Sequence, residues 1–348
     1  MARKNSEKKK CGSRAAACCA PTPGRGIGFN IMAALVLVFV IMTGAAVFAQ
    51  EDKPGTKGGA PVEAEADPSA VKVTPGSEPD YQRYTFTEKR KLAWKAENGL
   101  LIISEIAGDI FARSGEKDVL QIRGLKTGFG KSIDEARLEG GRIDMLMSAP
   151  ADRVEITTKL PKSYTDHPAG FIDYHVLAPA ATQLRLKTVS GDIDAEKFDG
   201  AVTAESFSGG VKVASVKGPV SVKTMSGNIE IADCPETVRV ESVAGRIDFE
   251  SDKLTATAVT LESKSGGVTV RVPEGINATF EVSTVSGKID TAMARLRAAD
   301  DKEGIKVFKS GKGETVVKIT TVSGKITIVT EPESDEDGRA RPPFERNE

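Results

Sequence analysis

The stretch TVSGDID, from Thr188 to Asp194, recurs in altered form along the second half of the chain and decides the fold. Further copies are SFSGGVK, TMSGNIE, SVAGRID, SKSGGVT, TVSGKID and TVSGKIT, which begin at residues 206, 224, 242, 263, 284 and 321. Successive glycines of the copies are separated by 18, 18, 18, 21, 21 and 37 residues. Periods of about 20 residues are typical of solenoids, and a unit this short accommodates one coil of extended chain. The repeat therefore predicts an all-β fold, a parallel β-solenoid of about seven short coils.

Each copy lies in a segment that alternates apolar and polar residues, as in VSVKTMSGNIEI at residues 220–231. Val222 shares its parity with Thr224, whereas Met225, after a slip of one residue, shares parity with Ile229. The slip predicts a corner of the coil at Thr224 and Met225, with both apolar sets facing the interior. Glu230 then faces outward.

Stacked coils place equivalent residues in columns. One column contains the motif glycines, and we expect glycine there because it permits either an unusual φ or close approach of neighbouring walls of the solenoid. A second column contains hydroxyl side chains, which we expect to hydrogen-bond backbone groups at the bend. Its members are Thr188, Ser206, Thr224, Ser242, Ser263, Thr284 and Thr321.

The folded body is predicted to have two parts. Residues 181–330 contain the solenoid repeats, and residues 81–180 form a β-rich N-terminal part that caps the stack. The segment EIAGDIF, Glu105 to Phe111, echoes the motif and indicates that the first coil begins near residue 100. The segment Met293 to Gly304 interrupts the last two coils and is predicted to form a helical turn or a loop.

The N-terminal region predicts export. Residues 1–30 form a basic cytoplasmic region, and the apolar run at 31–49 is either the hydrophobic region of a signal peptide cleaved after Ala49 or a transmembrane anchor. Residues 50–80, rich in Pro, Gly, Ala and Glu, predict a disordered tether, and residues 331–348 a disordered tail. Three cysteines precede the apolar run and only Cys234 follows it, so no intrachain disulfide is expected in the exported part.

Composition excludes several functions. The 48 basic and 49 acidic side chains argue against nucleic-acid binding, and an aromatic content of 5% argues against extended stacking platforms. His167 and His175 are too few and too isolated to predict a metal site. No catalytic, cofactor-binding or metal-ligating residue is assigned, and no cofactor is expected.

One outward column invites a test as an active site. It contains Asp194, Glu230, Asp248 and Asp290 together with Lys212, Thr269 and Thr327. Glu230 and Asp248 on adjacent coils would be separated by about the carboxyl spacing of retaining glycosidases. Any two acids in one column of a β-solenoid meet this condition, so we interpret the column as a solvated charged ladder that protects the sheet and keeps it soluble.

The repeated [ST]φSG[DNK]I units, the export signal, the lead-in FIDYHVLAPAATQLRLKTVSGDID and the terminal KITTVSGKITI resemble the bacterial putative-adhesin family, a domain of unknown function. The resemblance covers about residues 95–330. It implies a β-solenoid outside the cytoplasmic membrane and no established catalytic residues.

These observations predict a non-enzymatic envelope or cell-surface scaffold, or an adhesin-like binding protein of unknown ligand. The alternatives are a polysaccharide-acting β-helix enzyme and an accessory or sensor protein of envelope stress signalling. The expected partners are the membrane, through residues 31–49 if these are uncleaved, and an envelope protein or polysaccharide. No nucleic-acid partner is expected.

Overall fold

The computed structural model describes residues 63–67, 81–94, 99–150, 152–161, 170–254, 258–273, 276–291, 297–302 and 305–331. Their strands form two sheets of twelve strands each. Sheet A contains, in spatial order, β1 (Glu63–Asp67), β2 (Gln82–Ala93), β5 (Val119–Gly130), β8 (Gly170–Ala178), β4 (Ile110–Ser114), β10 (Ile193–Glu196), β12 (Val211–Ala214), β14 (Ile229–Ala232), β16 (Ile247–Glu250), β18 (Val268–Pro273), β24 (Ile326–Glu331) and β20 (Ile289–Thr291).

Sheet B contains, in spatial order, β21 (Arg297–Lys302), β22 (Ile305–Ser310), β19 (Ala278–Ser286), β23 (Thr315–Ser323), β17 (Ala258–Ser265), β15 (Val238–Ala244), β13 (Val220–Ser226), β11 (Val202–Ser208), β9 (Gln183–Ser190), β3 (Leu100–Ala107), β7 (Arg153–Lys159) and β6 (Asp144–Ser148). One helix, α1 (Ile133–Gly141), occurs among the residues given above.

Each coil consists of one strand in sheet B, a corner at the motif glycine, and one strand in sheet A. From β9 to β18 the equivalent strands of successive coils pair in parallel and in register. The first coil is formed by β3 and β4, which pair in parallel with β9 and β10. This confirms the predicted parallel β-solenoid and its start near residue 100.

The alternation of each strand separates core from surface as predicted. Val222 and Ile229 are fully buried between the sheets, whereas Glu230 lies on the outer face. The corner lies a few residues later than predicted, because β13 extends past Thr224 and Met225 to Ser226. Thr224 faces inward and Met225 outward, so the chain turns at the following glycine.

Close approach of neighbouring coils explains the glycine column. A Cβ atom on Gly209 would lie 2.0 Å from the carbonyl oxygen of Gly191, and one on Gly227 would lie 2.0 Å from that of Gly209. Gly209 has a positive φ of 150°, but Gly227 is not among the glycines in that region. Close contact between coils is therefore the shared reason for glycine in this column, and a positive φ is a further reason at some positions.

The other corner of the coil is built from a left-handed residue followed by a buried apolar one. Lys197 and Asp233 have φ values of 66° and 51°, and the residues that follow them, Phe198 and Cys234, are fully buried. Cys234 therefore acts as a small apolar core residue, and burial raises the pKa of its thiol to about 11.

The N-terminal part extends both sheets beyond the first coil, as the cap prediction requires. In sheet A, β8 pairs in parallel with β4, and β5 and β2 follow it in antiparallel pairs. In sheet B, β7 pairs in parallel with β3 and is followed by β6. Helix α1, which the sequence analysis did not predict, begins at the cap Ser132, whose hydroxyl accepts from Glu135 N at 3.2 Å, and packs closely on Gly128.

At the C-terminal end the coils do not stack in chain order. β23 and β24 of the last coil lie between β17 and β18 on one side and β19 and β20 on the other. Beyond β19 the sheet ends in the antiparallel strands β22 and β21. The prediction of a helical turn or loop at 293–304 is therefore wrong for Arg297–Lys302, which forms a strand.

Several predicted segments lie outside the described residues, namely the basic region 1–30, the apolar run 31–49 and the tail beyond residue 331. In the predicted tether 50–80, residues Glu63–Asp67 form β1, which pairs antiparallel with β2, and so are not disordered chain. Within the described part of the chain, no helix is long and apolar enough to span a membrane.

Candidate functional site

The predicted outward column exists as one row across sheet A. Asp194, Lys212, Glu230, Asp248 and Thr269 are successive register partners from β10 to β18, and Thr327 and Asp290 continue the row. Asp248 departs from the prediction of a solvated face, because it is only 7% exposed. Its Oδ2 lies 3.9 Å from Arg246 Nε, while Oδ1 has no hydrogen-bond partner among the described atoms.

The aspartate that directly follows the motif glycine has a structural role at the corner. The Asp192 Oδ1 atom accepts from Gly210 N of the next coil at 2.7 Å. Asp109 accepts in the same way from Asp192 N at 2.8 Å, and Asp173 accepts from Asp109 N at 2.9 Å. Burial and the neighbouring Asp109 charge raise the pKa of Asp173. These carboxylates satisfy amides that the corner leaves unpaired, so they belong to the scaffold.

The hydroxyl column is buried, but its predicted hydrogen bonds form at only two positions. Thr188 donates to Gly108 O at 3.4 Å, and Ser206 donates to Gly191 O at 3.5 Å. The other hydroxyl oxygens find no partner in the part of the chain that the structure describes; they belong to Thr224, Ser242, Ser263, Thr284 and Thr321.

Glu105 stands at the head of the hydroxyl column, since it is the register partner of Thr188. It is 4% exposed and accepts from Thr158 Oγ1 on β7. Because that proton is committed, the Tyr174 hydroxyl donates to Thr158 Oγ1 at 2.7 Å. Burial raises the pKa of Glu105 to about 7, and it also raises the pKa of Tyr174. The cluster links both sheets inside the core. A substrate site needs an opening to solvent, and this cluster has none.

The outward row does not end at Asp194. On the other side of that residue it continues through Phe111 on β4, His175 on β8, Arg123 on β5 and Lys89 on β2. The next outward row, two residues along each strand, runs through Arg113, Leu177, Gln121 and Lys91. These eight side chains line a cavity of about 540 Å³, which we call the basic recess.

Four of the eight side chains are cationic at neutral pH. Arg113 forms ion pairs with Glu196 and, at 3.4 Å, with Asp194. Within the described residues, no ion pair involves Lys89, Lys91 or Arg123. Three exposed cations therefore lie at the β2 and β5 end of the recess without a compensating side-chain contact there. In the backbone register, Glu65 and Glu63 of β1 lie opposite Lys89 and Lys91.

The centre of the recess is formed by two rings. His175 and Phe111 stack with their centroids 4.8 Å apart and their planes inclined by 15°. Each ring covers one face of the other, so those two faces are not available for stacking on a ligand. Burial and the nearby Arg123 charge lower the pKa of His175, and Asp109 opposes that shift. Leu177, which is 43% exposed, adds an apolar surface beside them.

The sequence analysis weighed His175 only as a metal ligand and did not assign the recess. His167 lies outside the described residues. Among those residues, no three His, Cys, Asp or Glu side chains are arranged to hold a metal ion. The sequence does contain one signal for the recess, the run Lys89-Arg90-Lys91. It lies in an alternating strand, so the two lysines share one face.

A family model for Toastrack DUF4097 matches residues 113–329, more than half of the chain, and the chain therefore belongs to this family. This confirms the resemblance to the bacterial putative-adhesin domain of unknown function. No curated protein matches the chain.

Two solved structures are similar in part. One is a putative cell adhesion protein from Clostridium sporogenes, with 13% identity, a TM-score of 0.34 and coverage of 70% of this chain and 99% of that chain. The other is a putative adhesin from Bacteroides fragilis, with 15% identity, a TM-score of 0.35 and coverage of 73% and 99%. At these values neither structure indicates what this chain binds.

Proposed function

We propose that this protein is an exported, non-enzymatic binding protein or scaffold of the bacterial envelope, and that the basic recess is its binding site. The observation that carries the proposal is the recess itself, an open hollow in an outer face that is lined by four cationic side chains, three of which form no ion pair within the described residues. Repeat folds offer extended faces for binding, and rigid sheets hold surface side chains in fixed positions.

The chemistry of the recess supports binding rather than catalysis. General acid and base chemistry on a glycosidic bond needs two carboxyl groups on opposite sides of that bond. The described side chains that line the recess are cationic, aromatic, aliphatic or amide groups. At the β4 and β10 border of the recess the carboxylates of Asp194 and Glu196 are bound to Arg113, and at the β2 border Glu65 and Glu63 lie opposite Lys89 and Lys91 in the backbone register. The pair Glu230 and Asp248 lies further along the sheet, where Asp248 is buried.

The decisive experiment incubates the purified full chain, in detergent, with isolated cell envelopes and with a panel of polysaccharides. We expect retention on envelope material with no release of reducing ends or unsaturated products. Product release that is lost in Glu230→Gln or Asp248→Asn would overturn the proposal in favour of a polysaccharide-acting enzyme.

Export is tested separately. Alkaline phosphatase fused after Glu348 is expected to be active in bacterial cells, since that enzyme folds only outside the cytoplasm, where its disulfides form. Activity of a cytoplasmic reporter alone at this position would contradict export. Sequencing the N-terminus of the mature protein distinguishes cleavage after Ala49 from an intact anchor.

A further inference from the structure

We propose that the basic recess binds an acidic polysaccharide, whose anionic groups contact the cations at both ends of the recess. This inference rests on the proposed function and adds the chemical class of the ligand. It follows from the distribution of charge, the dimensions of the recess, and the groups that the sheet offers to a ligand.

The distribution of charge selects an anion. Lys89 and Lys91 on β2 and Arg123 on β5 form a cationic group at one end, and Arg113 on β4 lies at the other. Arg113 already has two carboxylate partners, whereas the group of three has no ion pair among the described side chains. Glu65 and Glu63 of β1 lie opposite Lys89 and Lys91 in the backbone register, so Arg123 is the cation of the group whose register partners are not acidic. An anionic ligand forms charge-assisted hydrogen bonds with Lys and Arg, which are stronger than neutral ones.

The dimensions favour a ligand with several charged units. Neighbouring strands lie about 4.8 Å apart, so β2 and β4, separated by β5 and β8, are about 14 Å apart. A single carboxylate or phosphate ion therefore reaches only one end of the recess. A chain of linked anionic units that crosses the strands reaches the three cations at one end and Arg113 at the other.

The groups between the two ends favour a sugar over a peptide. Gln121 and His175 offer hydrogen bonds to hydroxyl groups, and Leu177 and Phe111 offer apolar contact to the carbon faces of a sugar ring. The backbones of β5 and β8 are paired on both sides, so an acidic peptide cannot extend the sheet here. A lipid bilayer, which is a broad surface, matches a hollow of about 540 Å³ less well than a single polymer chain does.

The inference is tested by measuring binding of the purified full chain to polygalacturonate, with methyl-esterified polygalacturonate as the uncharged counterpart. We expect binding to the acidic polymer that weakens as salt is raised, and little binding to the ester. The double variant Lys89→Gln, Arg123→Gln should weaken binding about tenfold. The matched control Lys212→Gln, Arg185→Gln removes two exposed cations elsewhere on the sheets and should leave binding unchanged.

Each other outcome has a defined meaning. Equal loss in the recess variant and its control would indicate dependence on overall charge and would overturn the inference. Stronger binding to phosphatidylglycerol vesicles or to poly-L-glutamate would overturn it in favour of a lipid or a protein ligand. If the recess variant still binds envelopes as the wild type does, the inference fails together with the assignment of the recess as the binding site, whereas the role as an envelope-binding protein stands. If the wild type itself fails to bind envelopes, the proposed function fails.

Discussion

Arg123 and His175 lie directly opposite each other on the antiparallel strands β5 and β8, at the centre of the basic recess. Burial and the guanidinium charge lower the pKa of the imidazole from its ordinary value and so favour its neutral form. The site thus holds a group that gains a proton only in more acidic solution or in the presence of an added negative charge.

The first prediction concerns the pH dependence of binding. A bound polyanion favours the charged imidazole, so polygalacturonate should bind more tightly at pH 5.5 than at pH 7.5, while its carboxylates stay ionised. His175→Gln should remove the difference between the two pH values in a titration. An unchanged pH dependence in this variant would assign the effect to a group other than His175.

The second prediction concerns the glycine column. Gly209→Ala places a methyl group 2.0 Å from Gly191 O at a φ of 150° and should lower the free energy of unfolding by about 3 kcal/mol or more. The adjacent control, Gly210→Ala, places its methyl group 3.5 Å from both Asn228 O and Asp192 Oδ1 and should change stability by less than about 1 kcal/mol. Denaturant unfolding measures both. Equal effects would show that close approach is not what the column requires.

The third prediction tests the two faces of one strand. Ile229→Asp puts an unpaired carboxylate in the core and should cost about 3–5 kcal/mol, because the buried charge has no partner and the packed side chain is lost. Glu230→Lys, on the outer row, should cost less than about 1 kcal/mol. Thermal melting of the two variants side by side checks this, and similar melting temperatures would contradict the assignment of inner and outer faces.

The fourth prediction concerns Glu105. Its pKa is raised from 4.5 in the unfolded chain to about 7 in the folded protein, so the folded state holds the extra proton between these values. Stability therefore falls as the pH rises from about 4.5 to 7, by up to about 3 kcal/mol, and then levels off.

Glu105→Gln mimics the protonated acid and should be less sensitive to pH than the wild type across this interval. Denaturant unfolding at pH 5 and pH 8 gives the comparison, in which the wild type should lose more stability than the variant. Glu230→Gln is the control, since it removes an acid from the outer row. If the wild type and Glu105→Gln shared one pH profile, Glu105 would not titrate as described.

The sequence predicted the coils well because their information is local and repeated. Contacts with the next coil are reflected in three features of the sequence: the eighteen-residue spacing, the alternation around Val222 and Ile229, and the glycine in each copy. The corner was placed too early because the polar Thr224 faces inward and the apolar Met225 outward, against their hydropathy. A prediction from alternation alone interprets this exchange of polar and apolar residues as a bend.

The recess and the order of the last coils could not be predicted in the same way. The recess combines β2, β5, β8 and β4, three of which lie outside the repeat, and their pairing depends on contacts distant in the chain. Its ring pair, Phe111 and His175, is separated by 64 residues. Likewise, a spacing of 37 residues between the last two glycines is compatible with stacking in either order, and only the three-dimensional pairing of β23 with both β17 and β19 distinguishes them.

The inserted last coil has a consequence for biosynthesis. Translation delivers the chain from its N-terminus, and β19 and β20 are made before the segment 315–331 that lies between them and the rest of the stack. The end of the solenoid therefore closes only after residues 315–331 have been synthesised. A chain that stops before Thr315 leaves open edges on β17 and on β19 at once, and both are available for pairing with other chains. Premature termination near the C-terminus should thus cause aggregation rather than loss of a single terminal coil.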